Sequence, residues 1–550
     1  MVMIRRFGLC TFGCLLLLIS SCGGGDPHNV NLFSACETPK PVNVSLVQVA
    51  QCSKIPPTSL PNYDRLSQQF LDEETRHPTD NSEGNIVWGT RYYLESLLTA
   101  YEATSNRKYI QAFLDSGQWV LNLVKTMTIA DIPDPGRPVT PGTVPTLAVT
   151  GWPTALGNFS VPVMVPTQTG QAALYAQNLG TAAAFEVTQQ GNGSLQLAWT
   201  AGGQILEAKT VQSISDLNAV ASEPLVWGQS VGRIKPTGAG LPAPGVYPVN
   251  LAETTVWNSE QAGGILLPFA HFLLLAKQNP GLMDESTREE WTSTILAIAT
   301  GYENAFISDD QGGLRQHNPI WLPNTTADLD AAMDYVSAES TLRLLLYQLT
   351  GDAHQLAITQ GLIQHQQNFH LVVSSQGWLL LQFWPSMTPW SSRANAPSGN
   401  VWDSFEYPPN VQAPVSDGGF FVELLHYAKL FELCLADYVY NSNLATFQQY
   451  LVYGSSHAIN PSEPLLRAAY PTISSRSSDP INPSPDSFVG ADFLTPEVAE
   501  QSFVDANWNW MQRFAQKPDG QPIGYYLRAW ARSEAAELNR CNYATLLTSH

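Results

Sequence analysis

Three acidic residues and a tyrosine lie close together in one short stretch of the chain. The acidic residues are Asp403, Glu406 and Asp417, and the tyrosine is Tyr407. Two carboxylates flanking a glycosidic bond hydrolyse it, at about 5 Å apart with retention or roughly 6.5 to 9.5 Å apart with inversion. A tyrosine can give or take a proton as acid or base. We predict these four as catalytic residues, although Asp417 also suits the N-cap of a following helix.

Tryptophan is concentrated in the same loop. Flat indole faces stack on pyranose rings, and a loop tryptophan is rarely needed to fill a core. An arginine lies among them in the same loop. The rings could alternatively plug the end of the helical core. The predicted substrate-binding residues of this loop are Trp378, Trp384, Trp390, Trp402 and Arg393.

A second acidic set opens a predicted helix. Asp328 and Asp330 are explained by the positive end of the helix dipole, whereas Asp334 repels Asp330 at i+4 unless a cation or a substrate hydroxyl lies between them. We therefore predict Asp334 as catalytic and Tyr335 as substrate-binding. A third set at another helix start comprises Trp257, which is predicted to bind substrate, with Glu253 and Glu260.

The elements that would position these residues repeat along the chain. The segments Tyr93 to Leu121 and Glu339 to His365 each predict a helix, a short turn and a returning helix. Gly351 and Asn106 are predicted to take the left-handed conformation that ends the first helix of each pair. Residues 264–306 fit the pattern more loosely, and residues 420–431 predict the first helix of a fourth pair. The predicted fold class is mainly α, an incomplete (α/α) toroid of helical hairpins with a small β-rich insertion.

The β-rich insertion is predicted at residues 131–250. Phe185 and Val187 alternate before an Asn192-Gly193 turn, and Leu195 and Leu197 alternate after it, which is typical of a β-hairpin. The module could be a structural lid or could bind carbohydrate. The remaining boundaries are a signal at 1–21, a tether and wrapping segment at 22–80, a first hairpin at 81–130, and further hairpins at 251–550.

The N-terminus predicts the compartment. Arg5 and Arg6 precede an apolar run too short to span a bilayer as a mature helix. The run ends in Ser20-Ser21-Cys22, which resembles the bacterial lipobox, and this implies a lipid anchor on Cys22 in the cell envelope, at the outer membrane. Four other cysteines would remain after the signal, and plausible pairings in an oxidising space are Cys36 with Cys52 and Cys434 with Cys541.

Composition limits the partners. The net charge of −20 arises because basic residues are few, and it disfavours nucleic acid. A polyuronate would be repelled at long range, so local cations such as Arg91, Arg315 or Arg343 would have to hold it. The sequence shows no HExxH, GxSxG, P-loop or GxGxxG pattern, and we predict neither a metal nor a cofactor.

A family resemblance adds to this interpretation. Trp402, then Glu406-Tyr407-Pro408, then Asp417-Gly418-Gly419-Phe420 resemble the end of the C-terminal domain of D-glucuronyl C5-epimerases. More broadly, residues 309–315 and 257–269 resemble the six-hairpin glycosidase-like, or (α/α) toroid, superfamily. The resemblance implies a toroid that acts on a polysaccharide, with Tyr407 as acid or base and Arg393 as the neutralising cation.

The predicted function is therefore that of a lipid-anchored, extracytoplasmic protein acting on a polysaccharide or oligosaccharide. As an enzyme it would be a uronate epimerase, a lyase or a glycoside hydrolase. Two alternatives remain open: a surface lipoprotein that binds glycan without turnover, and a scaffold protein of the envelope. Its predicted contacts are the glycan and, through Cys22, the membrane.

Overall fold

A computed structural model describes about half of the chain. The described residues are 57–72, 81, 84–130, 146–152, 154–160, 163–169, 174–178, 182–221, 232–236, 240–249, 251–256, 259–303, 306–309, 311–316, 333–373, 379–381, 423, 424, 427, 508, 512 and 524–539. All structural statements below concern these residues.

Nine α-helices lie within the described residues. They are α1 Pro61–Asp72, α2 Arg91–Thr104, α3 Arg107–Asn122, α4 Ile214–Ala221, α5 Ser259–Gln278, α6 Glu285–Gly301, α7 Met333–Thr350, α8 Ala353–Phe369 and α9 Leu527–Asn539. A π-helical turn, Ile86–Thr90, leads into α2, and two short 3-10 helices are Pro280–Leu282 and Gly524–Tyr526.

Four helices form an inner row and four others back it. In the inner row α7 packs on α5, α5 on α2, and α2 on α9. The outer helices α8, α6, α3 and α1 pack on α7, α5, α2 and α9 respectively. One apolar cluster joins both layers, and the inner helices are buried on nearly every side. None of the described helices is long and apolar enough to cross a membrane.

The two repeated turns are built alike in atomic detail. The φ angle is +75° at Gly351 and +55° at Ser105, so Ser105 takes the left-handed conformation that we predicted for Asn106. Asn106 instead begins α3, where its side chain accepts a hydrogen bond from the backbone N–H of Lys108. Asp352 caps α8 in the same way through the N–H of His354. The serine takes the left-handed position because asparagine is a preferred cap at the next one.

Fifteen strands lie within the described residues. They are β1 Lys125–Ala130, β2 Thr146–Gly151, β3 Thr154–Ser160, β4 Val163–Val165, β5 Leu174–Asn178, β6 Ala184–Gln189, β7 Leu195–Ala201, β8 Gln204–Val211, β9 Gly232–Pro236, β10 Gly245–Pro248, β11 Leu251–Val256, β12 Phe306–Ser308, β13 Leu314–Gln316, β14 Leu371–Val373 and β15 Leu379–Leu381. Every pairing is antiparallel. The sheets are β10-β6-β7-β8, β4-β5-β9 and four pairs, β1-β2, β3-β11, β12-β13 and β14-β15.

The predicted fold class is wrong. The described residues combine nine α-helices with fifteen strands in six sheets, so the β structure is not confined to one small insertion. Strands also occur among the helices, at β12 to β15. Helical periodicity indicates that two neighbouring segments pair, but it does not say how many pairs follow or whether they close.

The β-rich part has its own core. The predicted β6–β7 hairpin is present, with Phe185 opposite Trp199 and Gly193 at a φ of +86° in its turn. Phe185, Leu197 and Trp199 point to one face of the four-stranded sheet and pack with residues of the three-stranded sheet and of α4. This core is separate from that of the helices, as expected for a module that packs its own apolar face.

Buried ion pairs lie within and between the helices of the inner row. On α7, Arg343 binds Glu339 with an Nε–Oε1 distance of 2.6 Å, and both side chains are fully buried. On α2, Arg91 binds Glu95 at 2.8 Å, and Arg528 of α9 binds the same carboxylate at 2.9 Å. Each of these five buried groups thus has a partner of opposite sign, which offsets the cost of burying its charge.

Candidate active site

Most of the predicted site residues lie outside the described residues. These are Cys22, Trp257, Trp378, Trp384, Trp390, Arg393, Trp402, Asp403, Glu406, Tyr407 and Asp417. Their predicted roles stay predictions, and the structure does not say which of them come together.

The second predicted set lies at the start of an inner helix. Asp334 is in the first turn of α7, as predicted from its position in the sequence. Tyr335 follows it and is half-buried, with its ring against the small apolar cluster of Val336, Ile358 and Leu362. Tyr335 therefore has a packing role, and its predicted contact with substrate is an additional role that remains to be tested.

Two of the arginines suggested as substrate cations are in the core. Arg91 is 1% exposed and Arg343 is 0% exposed, each within the ion pairs described above. Burial disfavours a charged arginine, but the neighbouring carboxylates outweigh it and raise the pKa of Arg343. Both guanidinium groups stay charged in the core and are not available to hold a substrate. Arg315, on β13, is half-buried.

A different group of side chains forms a hydrogen-bonded chain between three helical segments. The Nε2 atom of His271 lies 2.8 Å from Oε1 of Glu102, and its Nδ1 atom lies 3.2 Å from the hydroxyl oxygen of Tyr427. Because the carboxylate of Glu102 only accepts hydrogen bonds, Nε2 carries the ring proton and Nδ1 accepts from the tyrosine hydroxyl. The order of proton donation is therefore Tyr427 to His271 to Glu102.

Packing of the inner row brings these residues together. Glu102 is in the last turn of α2, and His271 is in α5 three residues after Pro268, which lacks the N–H for a helical hydrogen bond. Tyr427 belongs to the helical residues near 424 and joins the core of the inner row. The side chains of His271 and Glu102 are 15% and 17% exposed, so the Glu102 end of this hydrogen-bonded series meets solvent.

The surroundings of Tyr427 fix its protonation state at rest. Tyr427 is 5% exposed, and burial is the main reason why its pKa is raised well above the usual value. The carboxylates of Glu423 and Glu102 raise the pKa further, while Arg532 and Arg528 oppose them. The resting hydroxyl is thus protonated at neutral pH, and it becomes a base only if His271 takes its proton.

A second histidine is paired with a carboxylate but is enclosed. His365 Nδ1 lies 2.9 Å from Asp309 Oδ2, with the two side chains 1% and 5% exposed. Burial raises the pKa of Asp309, but the bond from His365 and those from the N–H groups of Gly313 and Gln311 outweigh it and lower the pKa overall. Asp309 thereby ties the turn between β12 and β13 to α8, which is a structural role.

The Glu102–His271–Tyr427 chain is absent from the sequence predictions. One signal was available: His271 is the only polar side chain in the apolar run from residue 264 to residue 276. Within the described residues no group of three or more His, Cys, Asp and Glu side chains is placed to hold a metal ion. The arrangement can move a proton from a buried hydroxyl through an imidazole that a carboxylate orients.

No family model matches the chain, and no curated protein sequence matches it.

Proposed function

We propose that this protein catalyses proton transfer at C5 of uronate residues in a polysaccharide, as an epimerase or a lyase. The observation that carries the proposal is the chain from Tyr427 through His271 to Glu102. A hydroxyl, an imidazole and an orienting carboxylate in hydrogen-bonding order are the parts needed to turn a weak base into an effective one.

The chemical step follows from the direction of the hydrogen bonds. The Tyr427 oxygen takes the C5 proton while its own proton moves to Nδ1 of His271, and the C5–H electron pair stays on the sugar, spread over the adjacent carboxyl group. Glu102 stabilises the imidazolium that forms. In epimerisation a proton from water adds to the other face of C5. In elimination the C4–C5 double bond forms as the C4 oxygen substituent leaves and takes a proton from water. The imidazolium then returns its proton to the solvent, so the step balances.

The charges around Tyr427 are mixed. Glu423 and Glu102 raise its pKa, Arg532 and Arg528 lower it, and Arg528 is paired with Glu95 and Glu423. The substrate carboxylate would therefore be held by a cation of the loop, for which we propose Arg393. Hydrolysis would instead need two carboxylates facing one glycosidic bond, and Glu102 is already engaged with His271.

The proposed location is the bacterial cell envelope. Cys22 would carry a lipid at the outer membrane, and the glycine-rich residues after it would serve as a flexible tether. Envelope and extracellular polysaccharides are then the substrates within reach. The loop residues Trp378, Trp384, Trp390 and Trp402 would hold the sugar chain, and Arg393 would bind a carboxylate.

Exposure of the purified full chain to polyuronates in D₂O tests the proposal. Epimerisation is expected to introduce deuterium at C5, detected by NMR, and elimination to produce 4,5-unsaturated ends, detected by ultraviolet absorbance. Neutral glycans are the matched control and should show neither change. Binding of a polyuronate without either change would contradict the proposal and favour a glycan-binding lipoprotein.

A further inference from the structure

The helical segments that carry the proton-transfer chain are also joined by buried charges. The Nη1 atom of Arg528, on α9, lies 2.9 Å from Oε2 of Glu95 on α2 and 3.4 Å from Oε2 of Glu423. Arg91 of α2 binds the other oxygen of Glu95 at 2.8 Å. We call Arg91, Glu95, Glu423 and Arg528 the charged cluster, and each of its side chains is at most 6% exposed.

Glu423 of the charged cluster and Tyr427 of the proton-transfer chain belong to the same stretch of the sequence. They are four positions apart and both are helical, so their side chains lie on one face about one turn apart. Glu423 binds Arg528, and Tyr427 binds His271. These helical residues are thus held at two neighbouring points, first by the charged cluster and then by the proton-transfer chain.

The same two levels occur on α2 and α5. On α2, Glu95 precedes Glu102 by seven positions, which is about two helical turns. On α5, Gly264 precedes His271 by seven positions, and a methyl group on Gly264 would lie 2.7 Å from Nη1 of Arg91. All three segments therefore pass the two levels in the same direction. A shift of one segment at the charged cluster would move its side chain in the proton-transfer chain.

The charged cluster is the stronger of the two levels. Hydrogen bonds between charged groups are roughly twice as strong as neutral ones, and the cluster is enclosed, whereas His271 and Glu102 are partly exposed. The bond between the Tyr427 hydroxyl and His271 is neutral and spans 3.2 Å, at the long end of the usual range. A displacement of about 0.5 Å would break it, so its formation depends on where the cluster holds the tyrosine.

Helix α9 is itself fixed at a second point. Glu534, six positions after Arg528, accepts hydrogen bonds from the backbone N–H groups of Asn62 and Tyr63 at 2.9 Å and 2.7 Å. These groups are in the first turn of α1, where N–H groups have no partner within the helix. Because α9 is tied to α1 at one turn and to α2 at another, Arg528 holds Glu423 from a fixed position.

We propose that Arg528 is a positioning residue for the proton-transfer chain: by holding Glu423 against α2, it keeps the hydroxyl of Tyr427 within hydrogen-bonding distance of His271. The inference rests on the proposed function for its catalytic meaning. The contact between Tyr427 and His271 exists without a substrate, however, so the positioning can be tested separately from the reaction.

The stability of the purified full chain tests the positioning without any substrate. Tyr427→Phe removes the hydroxyl, and its effect on the urea midpoint is measured in the wild-type chain and in Arg528→Gln. We expect a clearly smaller effect in Arg528→Gln, because the hydroxyl has already lost His271 there. Arg343→Gln is the matched control, since Arg343 is in a similarly buried ion pair on α7. In that background Tyr427→Phe should keep its full effect.

Kinetics on a polyuronate separate positioning from a general loss of structure. Arg528→Gln should lower kcat about 10–100-fold with little change in KM, because a misplacement of about 1 Å can cost roughly 10²-fold in rate. Arg528→Lys keeps the charge and should recover most of that loss. Arg343→Gln should keep the kcat of the wild type although it lowers stability.

Glu423→Gln tests the same contact from its other end. It keeps the length of the side chain, so it replaces Arg528→Gln if that variant does not fold, and it should show the same two effects in smaller measure. Midpoint losses that add to that of Tyr427→Phe, or wild-type kcat in both variants, would overturn the inference. A wild-type chain without activity on polyuronates contradicts only the proposed function, and the stability measurement then decides whether Arg528 positions Tyr427.

Discussion

Ser105 and Gly351 occupy the same position in two copies of one helix–turn–helix unit, and both are left-handed. Their backbone N–H groups donate to the carbonyl oxygens of Tyr101 and Tyr347, at 2.6 Å and 2.7 Å. The first copy thus uses a residue with a side chain where the second uses glycine. Left-handed backbone is costly for a residue with a Cβ atom and nearly free for glycine.

Exchanging these two residue types should change stability in opposite directions. Ser105→Gly is expected to raise the free energy of unfolding by up to about 1 kcal/mol, and Gly351→Ser to lower it by about 1 kcal/mol. Urea unfolding followed by far-ultraviolet circular dichroism measures both. Equal effects of the same sign would mean that the two turns differ in conformation.

The close approach of α5 to α7 predicts a second effect. A methyl group on Gly263 would overlap the carboxylate of Glu339, which Arg343 and Tyr302 hold in place. Gly263→Ala is therefore expected to destabilise the protein by about 1–3 kcal/mol. Gly301→Ala, at the end of α6, is the matched control because nothing lies within 4 Å of its added methyl group. It should be neutral or slightly stabilising.

The buried pair on α7 predicts a large coupling. Arg343 binds Glu339 and Glu303 and donates to the carbonyl oxygen of Ala299 at 2.7 Å. Arg343→Met should cost about 3–5 kcal/mol, because Glu339 would stay buried without its cation. Adding Glu339→Gln removes that charge, so the double variant should be more stable than Arg343→Met alone. Additive losses in a double-mutant cycle would show that the two residues are not coupled.

Local patterns account for what the sequence predicts correctly. The apolar stripes of α2 and α7, and the turns that follow them, are set by residues three and four positions apart, so the helix pairs could be predicted. Strands of three residues, such as β12 and β14, are too short for alternation to be recognised. They are formed by pairing with a neighbour, which is why the strand content exceeded the prediction.

The candidate site could not be predicted for a related reason. Glu102 and Tyr427 lie 169 and 156 positions from His271, so no spacing motif connects them. They meet because α2, α5 and the helical residues near 424 pack into one core. Sequence reasoning instead favoured a loop in which acidic and aromatic residues are close along the chain.

The cap of α6 predicts a pH dependence of stability. The Oγ1 and N–H of Thr287 and the hydroxyl of Ser286 bind the carboxylate of Asp284 and lower its pKa to about 2. A carboxyl group whose pKa is lowered by folding stabilises the folded state above its unfolded pKa, and this contribution is lost as the pH falls through the folded pKa. Asp284→Asn should therefore have a lower thermal midpoint than the wild type at pH 7. The difference should shrink as the pH falls from about 4 towards 2, and a constant difference would contradict the cap.

The proton-transfer chain predicts a separation of kcat from KM. Tyr427→Phe removes the hydroxyl but keeps the ring and its packing, so kcat on a polyuronate should fall by about 10²–10⁴-fold with little change in KM. Tyr101→Phe is the matched control, since Tyr101 is a buried tyrosine on α2, and it should leave kcat within the range of the wild type.

Glu102 should act through His271 and not through the substrate. Glu102→Gln keeps an oxygen that can accept from Nε2 but removes the charge that stabilises the imidazolium, so kcat should fall less than in Tyr427→Phe. The distinguishing measurement is the pair of kinetic constants, because a residue that acts through His271 should lower kcat with little change in KM. Wild-type kcat in Tyr427→Phe, or in Glu102→Gln, would show that these three residues do not form a catalytic unit.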